Sequence, residues 1–355
     1  MHAETVIEKE QPKKVALIFG ASGQDGTYLT EFLLSKDYEV HGVSRKNGSV
    51  QGDGICGDNH LFLHIGDISD SSSVLKLVQS IKPDEIYNLA AQSAVKTSFD
   101  LPLETAEINA IGTLHILESI KLLQSEKNIK FFQAASSELF GSSKESSQNE
   151  KTLFYPRSPY AVSKLYSYWI TTNYREAYGI FGCNGILFNH ESPIRPESFI
   201  TRKITLGACR YKLGAQEILY LGNLNAKRDW GYAKDYVEAM WLMLQQERPD
   251  DFVIATGETH SVRECVETAF KEVGVDIEWH EEGINEYGTD KNTGKIIVKV
   301  DPNYFRPCEV TCSLGNSAKA NIILNWKPKT SFQELIKIMI TSDYEKEKAR
   351  LLKAK

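Results

Sequence analysis

A short apolar run followed by a glycine-rich turn is the feature that most constrains how this chain can fold. Val15–Phe19 predicts a buried parallel strand, and residues 27–34 have the apolar periodicity of a helix. Between them, positions 20–26 read Gly-Ala-Ser-Gly-Gln-Asp-Gly. Glycines at this place allow the backbone to turn tightly and to approach a pyrophosphate at the helix N-terminus. The segment therefore predicts a dinucleotide-binding unit.

Strand and helix patterns continue to alternate after this unit. Further strands are predicted at 38–43, 61–65, 85–90, 130–135 and 182–188, with long helices at 105–123 and 160–178. Alternation over this length predicts the α/β class with a doubly wound parallel Rossmann sheet.

The second half of the chain is less regular. Its predicted elements are one amphipathic helix within 189–229, a helix at 230–246, a strand at 252–256, a helix at 262–273, a loop-rich stretch at 277–299 and a last helix beginning at 332–340. We expect a disordered leader (1–13), a nucleotide-binding domain (14–188, with 230–260 returning to it) and a smaller C-terminal α/β substrate-binding domain (189–229 and 261–345).

Composition excludes several functional classes. The 355 residues carry a formal net charge of −6, which does not favour nucleic-acid binding. No apolar run approaches the roughly 20 residues that span a bilayer, and the polar N-terminus lacks a signal core, so a cytoplasmic protein is expected. The six cysteines lack the paired spacing of a zinc site, and no metal is expected.

The chemistry of the chain is indicated by Ser136, Glu138, Tyr160 and Lys164. Tyrosine and lysine four residues apart share one helix face, and an ammonium beside a phenol lowers the pKa of the phenol. A serine hydroxyl at a strand end can hold a substrate oxygen against that phenol. Together these groups suit proton removal from a sugar hydroxyl while hydride leaves the same carbon. The added carboxylate of Glu138 suits an enzyme that also eliminates water.

The Tyr-x-x-x-Lys pattern occurs three times, so its context decides which copy matters. Tyr287 and Lys291 stand in a stretch that resembles a loop, and Tyr344 and Lys348 stand on what resembles a solvated helix face. Only Tyr160 follows a strand that ends in hydroxyl residues. We therefore assign the catalytic pair to Tyr160 and Lys164.

The end of the second predicted strand bears on the choice of cofactor. NAD-binding proteins usually offer a carboxylate there, whereas this chain offers Arg45 and Lys46. Cations suit the 2′-phosphate of NADP. Asp67, at the end of the third strand, is expected either to contact adenine or to belong to the first turn of the next helix.

Several longer motifs are familiar. They include Asn-Leu-Ala-Ala-Gln-Ser at 88–93, Ser-Glu-Leu-Phe-Gly at 137–141, Asn-His-Glu-Ser-Pro at 189–193, Lys-Arg-Asp-Trp-Gly at 227–231 and Asp-Pro-Asn-Tyr-Phe-Arg-Pro at 301–307. From about residue 15 to the last helix, the chain resembles the GDP-mannose 4,6-dehydratase family of extended short-chain dehydrogenases/reductases. The glycine turn and Tyr-Lys pair belong to the whole superfamily, whereas the motifs at 189–193 and 227–231 are much narrower.

The resemblance implies roles residue by residue. Tyr160 would be the base at O4, assisted by Lys164; Ser136 would orient O4; and Glu138 would remove the C5 proton and assist loss of the C6 hydroxyl. The GDP-sugar would be held by Ser137, Asn189, Lys203, Arg228 and Arg306. NADP would contact Gly20, Gly23, Gln24, Asp25, Gly26, Arg45, Lys46, Asp67, Ile68, Leu89, Ala91, Ser93, Tyr160, Lys164, His190 and Arg195.

The chain also departs from the family pattern. Ile194 stands where the family has an arginine, and Ala94 where it has a histidine. Because both changes remove polar bulk near the expected sugar site, GDP-manno-heptose is an alternative to GDP-mannose. A nucleotide-sugar C4 epimerase or 4-keto reductase, and a non-catalytic NADP-sensing protein, are further alternatives.

Assembly into a homodimer or homotetramer is expected. The helices at 105–123 and 160–178 resemble the pair through which the superfamily dimerises, and they carry apolar residues beyond the needs of one sheet face, such as Ile108, Ile111, Leu114, Tyr166, Trp169 and Ile170. The loop at 47–58 differs from the one that helps build a tetramer in the family, which leaves dimer and tetramer both open.

Overall fold

The computed structural model of the protein describes residues 13–45, 59–305, 310 and 312–353. Its strands are β1 (Val15–Phe19), β2 (Glu39–Ser44), β3 (Leu61–Ile65), β4 (Glu85–Asn88), β5 (Lys130–Ser136), β6 (Gly182–Leu187), β7 (Asn189–Glu191), β8 (Leu219–Leu221), β9 (Lys227–Arg228), β10 (Trp230–Tyr232), β11 (Phe252–Ile254), β12 (His260–Ser261), β13 (Ile277–His280), β14 (Tyr287–Asp290) and β15 (Ile296–Val300).

The helices surround these strands. They are α1 (Gln24–Ser35), α2 (Ser71–Ile81), α3 (Val95–Asp100), α4 (Pro102–Ala106), α5 (Gly112–Leu123), α6 (Pro159–Tyr178), α7 (Ile200–Lys212), α8 (Ala233–Leu244), α9 (Val262–Glu272), α10 (Ala318–Leu324) and α11 (Phe332–Lys353). In the part of the chain that the structure covers, no helix combines the length and the apolar character needed to cross a membrane.

Seven parallel strands form the central sheet, in the order β11-β6-β5-β4-β1-β2-β3. The first six in chain order have the arrangement 3-2-1-4-5-6 of a Rossmann sheet. Helices α1, α8 and α10 cover one face and share a core with Leu29 and Met240, while α2, α5 and α6 cover the other around Val78 and Ile116. The predicted α/β, doubly wound fold is therefore confirmed.

The strand β11 lies at one edge of this sheet, where side chains take up its hydrogen-bonding groups. The backbone N–H of Val253 donates to Oε1 of Glu150 at 2.8 Å. The ammonium of Lys319 donates to the carbonyl oxygen of Asp251, just before the strand, also at 2.8 Å.

A second core forms beside the carboxyl end of the sheet. A four-stranded sheet in the order β13-β14-β15-β8 packs with α7, α9 and α11 around Phe270, Leu335 and Ile336. Short strand pairs, β7 with β10 and β9 with β12, join this core to the main sheet. The domain boundaries given above remain a prediction.

The expectation of a loop-rich stretch at 277–299 is wrong. This stretch is an antiparallel meander, and Tyr287 lies in β14, where its ring stacks on His280 at 5.0 Å between centroids. Gly288 fits inside a strand because a Cβ there would lie 2.8 Å from Ile277, so the neighbouring side chains occupy its place. Its two turns lie at 281–286, which includes the 3₁₀ turn Gly283–Asn285, and at 291–295, where Gly294 has φ of +68°.

Three further expectations need correction. The helix expected at 105–123 is interrupted by a π-helical turn, Glu107–Ile111. The helix expected at 230–246 begins at Ala233, because Trp230–Tyr232 pairs with β7. Tyr344 is half-buried against the second core, whereas Lys348 on the same helix is exposed as expected.

Candidate active site

The glycine turn has the shape that a dinucleotide requires. Gly20 adopts φ of +87°, and a Cβ there would lie 2.7 Å from the backbone nitrogen of Ala90. A Cβ on Gly26 would lie 2.3 Å from the carbonyl oxygen of Gly20. Gly23 is the N-cap of α1, so the helix N-terminus opens directly from the turn. These close approaches admit only glycine, and they fit a pyrophosphate at the positive end of the helix.

Gln24 and Asp25 tie this turn to β7. The side-chain amide of Gln24 donates to the carbonyl oxygen of His190 at 3.0 Å and accepts from Ser192 at 2.7 Å. Nε2 of His190 lies 2.9 Å from Oδ2 of Asp25, and Nδ1 lies 2.7 Å from the carbonyl oxygen of Phe188. Both ring nitrogens therefore bind protein oxygens, as an imidazolium does.

Electrostatics strengthens the pair formed by Asp25 and His190. Burial alone would raise the pKa of Asp25, but the charge and hydrogen bond of His190 outweigh burial and lower that pKa to about 2. Burial opposes the charged form of His190 as well, yet Asp25 overcomes it and raises the pKa of the imidazole. The two residues form a buried ion pair between the first turn of the fold and the strand that follows the main sheet.

The four residues proposed for catalysis come together at the end of β5. Ser136 closes the strand, and its Oγ accepts the backbone N–H of Glu138 at 3.2 Å. Tyr160, in the first turn of α6, has its phenol hydrogen-bonded to Ser136 and within electrostatic reach of Glu138. Ser158 caps this helix by accepting the N–H of Ala161 at 3.1 Å, which fixes where the helix begins.

The electrostatics of Tyr160 differ from the sequence-based expectation. Burial raises the pKa of the phenol to about 12, although the hydrogen bond of Ser136 opposes this. Lys164 is itself buried and donates from Nζ to the carbonyl oxygen of Ala134 at 2.9 Å. Burial lowers the pKa of Lys164 to about 8. Desolvation therefore has a larger effect on both pKa values than the attraction between ammonium and phenolate, which the four-residue spacing suggested would lower the pKa of Tyr160.

One cavity of about 610 Å³ unites most of the predicted site. Its walls include all four catalytic candidates. On the cofactor side they include Asp25, Leu89, Ala91, Ser93, His190 and Arg195. On the sugar side they include Ser137, Asn189, Lys203 and Arg228. This volume is within the range of ligand-binding sites.

The remaining predicted residues lie around the cavity or beyond the described chain. Gly20, Gly23, Gln24 and Gly26 form the turn beneath it. Ile68 is buried and packs closely on α5, where a Cβ on Gly112 would lie 2.8 Å from its side chain. Lys46 and Arg306 lie outside the described residues.

Arg45 and Asp67 lie at the carboxyl ends of β2 and β3. Arg45 is 63% exposed, with Nη1 4.0 Å from Oε1 of Glu104. Oδ1 of Asp67 accepts the backbone N–H and the hydroxyl of Ser69 at 2.9 and 2.7 Å. The helix cap is Asp70, so the interpretation of Asp67 as the residue that starts the helix is wrong.

Sequence reasoning missed two parts of the site. Asn109, inside the π-helical turn, accepts the N–H of Gln92 at 2.9 Å and donates to Ser163 at 3.1 Å, which clamps the loop after β4 to α6. The available signal was an asparagine between the apolar residues Ile108 and Ala110 of a predicted helix. Tyr304 also lines the cavity, with Nζ of Lys203 3.4 Å from its ring centroid.

Comparison with known proteins identifies the family to which a chain with these site residues belongs. The family model described as GDP-mannose 4,6 dehydratase matches residues 17–339. The chain belongs to the GDP-mannose 4,6-dehydratase family. It is 53% identical to the GDP-mannose 4,6 dehydratase of Drosophila melanogaster, covering 96% of this chain and 89% of that protein. It is 51% identical to the human protein of the same name, covering 95% of this chain and 93% of that one.

Solved structures agree on the fold of this family member. A UDP-glucose 4-epimerase from Thermotoga maritima superposes with a TM-score of 0.78 at 21% identity, covering 94% of this chain and 99% of that one. A dTDP-glucose 4,6-dehydratase from Bacillus anthracis, solved with NAD, superposes with a TM-score of 0.76 at 20% identity, covering 95% and 98%. At this identity the likeness concerns the fold alone.

The two departures from the dehydratase-family pattern differ in position. Ala94 lines the cavity. Ile194 packs against the core that contains Leu29 and Met240, and it is not among the described residues that line the cavity. The loss of polar bulk at position 194 therefore does not enlarge the cavity, which weakens the argument for a larger sugar.

The ion pair of Asp25 and His190 predicts a pH-dependent stability. Asp25→Asn should lower the free energy of unfolding by about 3 kcal/mol near pH 6, because it leaves a buried imidazolium without its counter-charge. Since the pKa of His190 is raised on folding, the stabilisation is complete below its ordinary pKa and fades as the pH rises through the folded value. Urea unfolding of both proteins between pH 5.5 and 9 measures the difference.

The matched control is Asp37→Asn, which removes an exposed carboxylate that pairs with Lys13. Because Lys13 keeps its charge throughout this range and His60 is the weakest of the influences on Asp37, the effect of Asp37→Asn on stability should change little with pH. A difference between wild type and Asp25→Asn that stays constant from pH 5.5 to 9 would contradict the assignment of an imidazolium.

Proposed function

We propose that this protein dehydrates a GDP-mannose-type nucleotide sugar at C4 and C6, giving the GDP-4-keto-6-deoxy sugar. The observation that carries the proposal is the position of Glu138. Its backbone N–H is bound by Ser136, and its carboxylate acts electrostatically on the Tyr160 phenol at the same cavity wall. An epimerase or 4-keto reductase uses the serine, tyrosine and lysine but needs no such carboxylate.

The cofactor proposed is NADP. The glycine turn and the N-terminus of α1 would hold its pyrophosphate, and Lys164 and Tyr160 would lie at the nicotinamide end. The nicotinamide ring supplies a reversible hydride acceptor, so a dehydration that starts and ends at the same oxidation level needs no second redox partner. Arg45 is exposed at the end of β2, where it can approach a 2′-phosphate.

The residues of the cavity divide the chemistry among them. Ser136 holds O4 of the sugar against Tyr160, whose phenolate oxygen accepts the O4 proton. A phenol whose pKa is raised to about 12 binds that proton tightly, so the hydroxyl of Ser136 and the cation of Arg195, which both lower this pKa, are needed to make phenolate accessible. Once C4 is a ketone, the C5 proton is acidic, and the Glu138 carboxylate removes it.

Glu138 also serves the leaving group. The proton that it takes from C5 can be passed to the C6 hydroxyl, which then departs as water. The C5–C6 double bond that remains would take back at C6 the hydride removed from C4, and a proton at C5, to give the 6-deoxy product. Arg228, which lines the same cavity, is buried, with Nη1 bound to the carbonyl oxygen of Lys227 at 2.9 Å. Arg228 and Lys203 supply the cations that suit the diphosphate of the substrate.

The direct test of the dehydration is Glu138→Gln. Formation of the 4-keto-6-deoxy product, followed by mass spectrometry as loss of water from GDP-mannose, should fall by at least about a hundredfold because one acid–base group is removed. Affinity for NADPH should be unchanged, which shows that the site remains folded.

A nearby glutamate provides the control for that variant. Glu145→Gln removes a carboxylate that binds the hydroxyl of Thr152, outside the cavity, and its rate should stay within about twofold of wild type. Near-normal water loss by Glu138→Gln would exclude the elimination role of Glu138.

Arg45 is expected to decide between NADP and NAD. Its charge-assisted bond to a 2′-phosphate should favour NADP by roughly 10–100-fold, and Arg45→Ala should remove most of that preference. Lys82→Ala is the control, since Lys82 precedes the amino end of β4, whereas Arg45 follows the carboxyl end of β2, and both carry the same charge. Titration of the cofactor-free proteins with both cofactors measures the ratio, and tighter NAD binding by wild type would refute the assignment.

We further propose that the protein is at least a dimer through α6 and the helices beside it. One exposed face carries Val162, Tyr166 and Trp169 at helical spacing, with Leu103 of α4 85% exposed nearby. Ile108 is buried within the subunit, so it is not available to a partner.

Light scattering at micromolar concentration should therefore give at least twice the monomer mass, and Trp169→Glu should reduce it to the monomer because a charge enters an apolar interface. Ile322→Glu changes an isoleucine on α10 that is also exposed, on the other side of the sheet, and should leave the assembly unchanged. A monomeric wild type would contradict the proposal.

A further inference from the structure

The C-terminal helix carries a fully buried carboxylate with a defined partner. Asp343, in the middle of α11, accepts from Nε of Arg202 at 3.0 Å and from the hydroxyl of Thr205 at 2.7 Å through Oδ2. Its Oδ1 lies 2.8 Å from Nη2 of the same arginine. One hydrogen bond to Nε and an ion pair with Nη2 therefore hold the guanidinium of Arg202 in position on α7.

The fixed guanidinium reaches a loop at the active site. Its remaining nitrogen, Nη1, donates to the carbonyl oxygens of Pro193 and Arg195, the latter at 3.0 Å. The ammonium of Lys346, three residues along α11, lies 3.3 Å from the same Pro193 oxygen. The segment between β7 and α7 is therefore bound by two cations: Arg202, which Asp343 of α11 holds, and Lys346, which belongs to α11.

The same segment carries Arg195, whose side chain lines the cavity. The guanidinium of Arg195 lies over the ring of Phe199, 3.7 Å from its centroid, and its Nε is 3.3 Å from Oε2 of buried Glu191. Thr201 donates to the same Glu191 oxygen at 2.5 Å. Arg195 lines the cavity and acts electrostatically on both Asp25 and Tyr160.

We propose that Asp343 is a positioning residue that sets Arg195 against the cavity through Arg202. This inference rests on the proposed function, because the group that Arg195 would meet is the anionic dinucleotide bound beside Asp25 and Tyr160. A guanidinium offers five donors in a rigid fork, and it can serve a carboxylate and two carbonyls together only when its plane is held. Burying a carboxylate carries a large desolvation penalty, which an ion pair with one arginine does not by itself offset.

The test compares Asp343→Asn with a matched carboxylate on the same helix. Glu347 is also buried, and it binds Arg210 at 2.9 Å and Arg350 at 3.0 Å instead of Arg202. Arg210 touches the segment 193–199 through a surface ion pair with Glu197, whose side chain is 63% exposed, and such a pair contributes little. In the cofactor-free proteins, amide hydrogen exchange of residues 193–199 should quicken about tenfold in Asp343→Asn and less than about twofold in Glu347→Gln.

Cofactor affinity supplies the second readout, taken from the fluorescence of bound NADPH. Its Kd should rise about tenfold in Asp343→Asn, and the same substitution made in an Arg195→Ala background should have less than about a twofold further effect. Arg202→Lys keeps the charge but loses the fork, so it should reproduce both changes, and it serves as the second variant if Asp343→Asn does not fold.

The outcomes separate this inference from the proposed function. Equal exchange in Asp343→Asn and Glu347→Gln, or a full effect of Asp343→Asn without Arg195, would overturn the positioning role. Failure of the wild-type protein to bind NADPH would instead refute the proposed cofactor. The exchange measurement uses cofactor-free protein, so it would still show whether Asp343 holds residues 193–199.

Discussion

The ion pair of Asp25 and His190 is the interaction on which the arrangement of the site depends. Asp25 belongs to the glycine turn of the Rossmann sheet, and His190 belongs to β7, which pairs with β10 and leads to the second core. Together with the hydrogen bonds of Gln24 to His190 and Ser192, this link holds the turn that fits a pyrophosphate against the strand that carries Asn189. A buried ion pair suits this task because its geometry is strict, even where its net contribution to stability is small.

Desolvation is the second constraint on the site. Lys164 is buried and Tyr160 is partly buried at the cavity wall, and desolvation raises the pKa of the phenol to about 12 and lowers that of the amine to about 8. Each group is thereby held nearer its neutral form. The hydrogen bond from Ser136 and the cation of Arg195 both act in the opposite direction on the phenol. The proton-transfer step therefore depends on the placement of these two neighbours as well as on the helical spacing of the pair.

Patterns within a short window predicted most of the fold. The apolar strands, the glycine turn and the helix with Tyr160 and Lys164 follow from local periodicity, and the family motifs added Asn189, Lys203 and Arg228 to the same cavity. Features that depend on distant packing were not predictable. Gly288 lies in a strand because Ile277 and Trp279 fill the space of its side chain, and the π-helical turn exists where Asn109 bonds to Gln92. Ile194 was expected near the sugar but faces the core.

The hydrogen bond from Val253 to Glu150 has a consequence for the protein as a solute. An edge strand with free backbone donors is a template on which another chain can add a strand, and sheets grow into aggregates by this route. Here a side-chain carboxylate occupies a donor of β11 and a lysine occupies the carbonyl oxygen just before it. The edge of the sheet at β11 is therefore capped by charged groups, which makes continued strand addition there unfavourable and helps to keep a crowded solution of this protein free of cross-strand association.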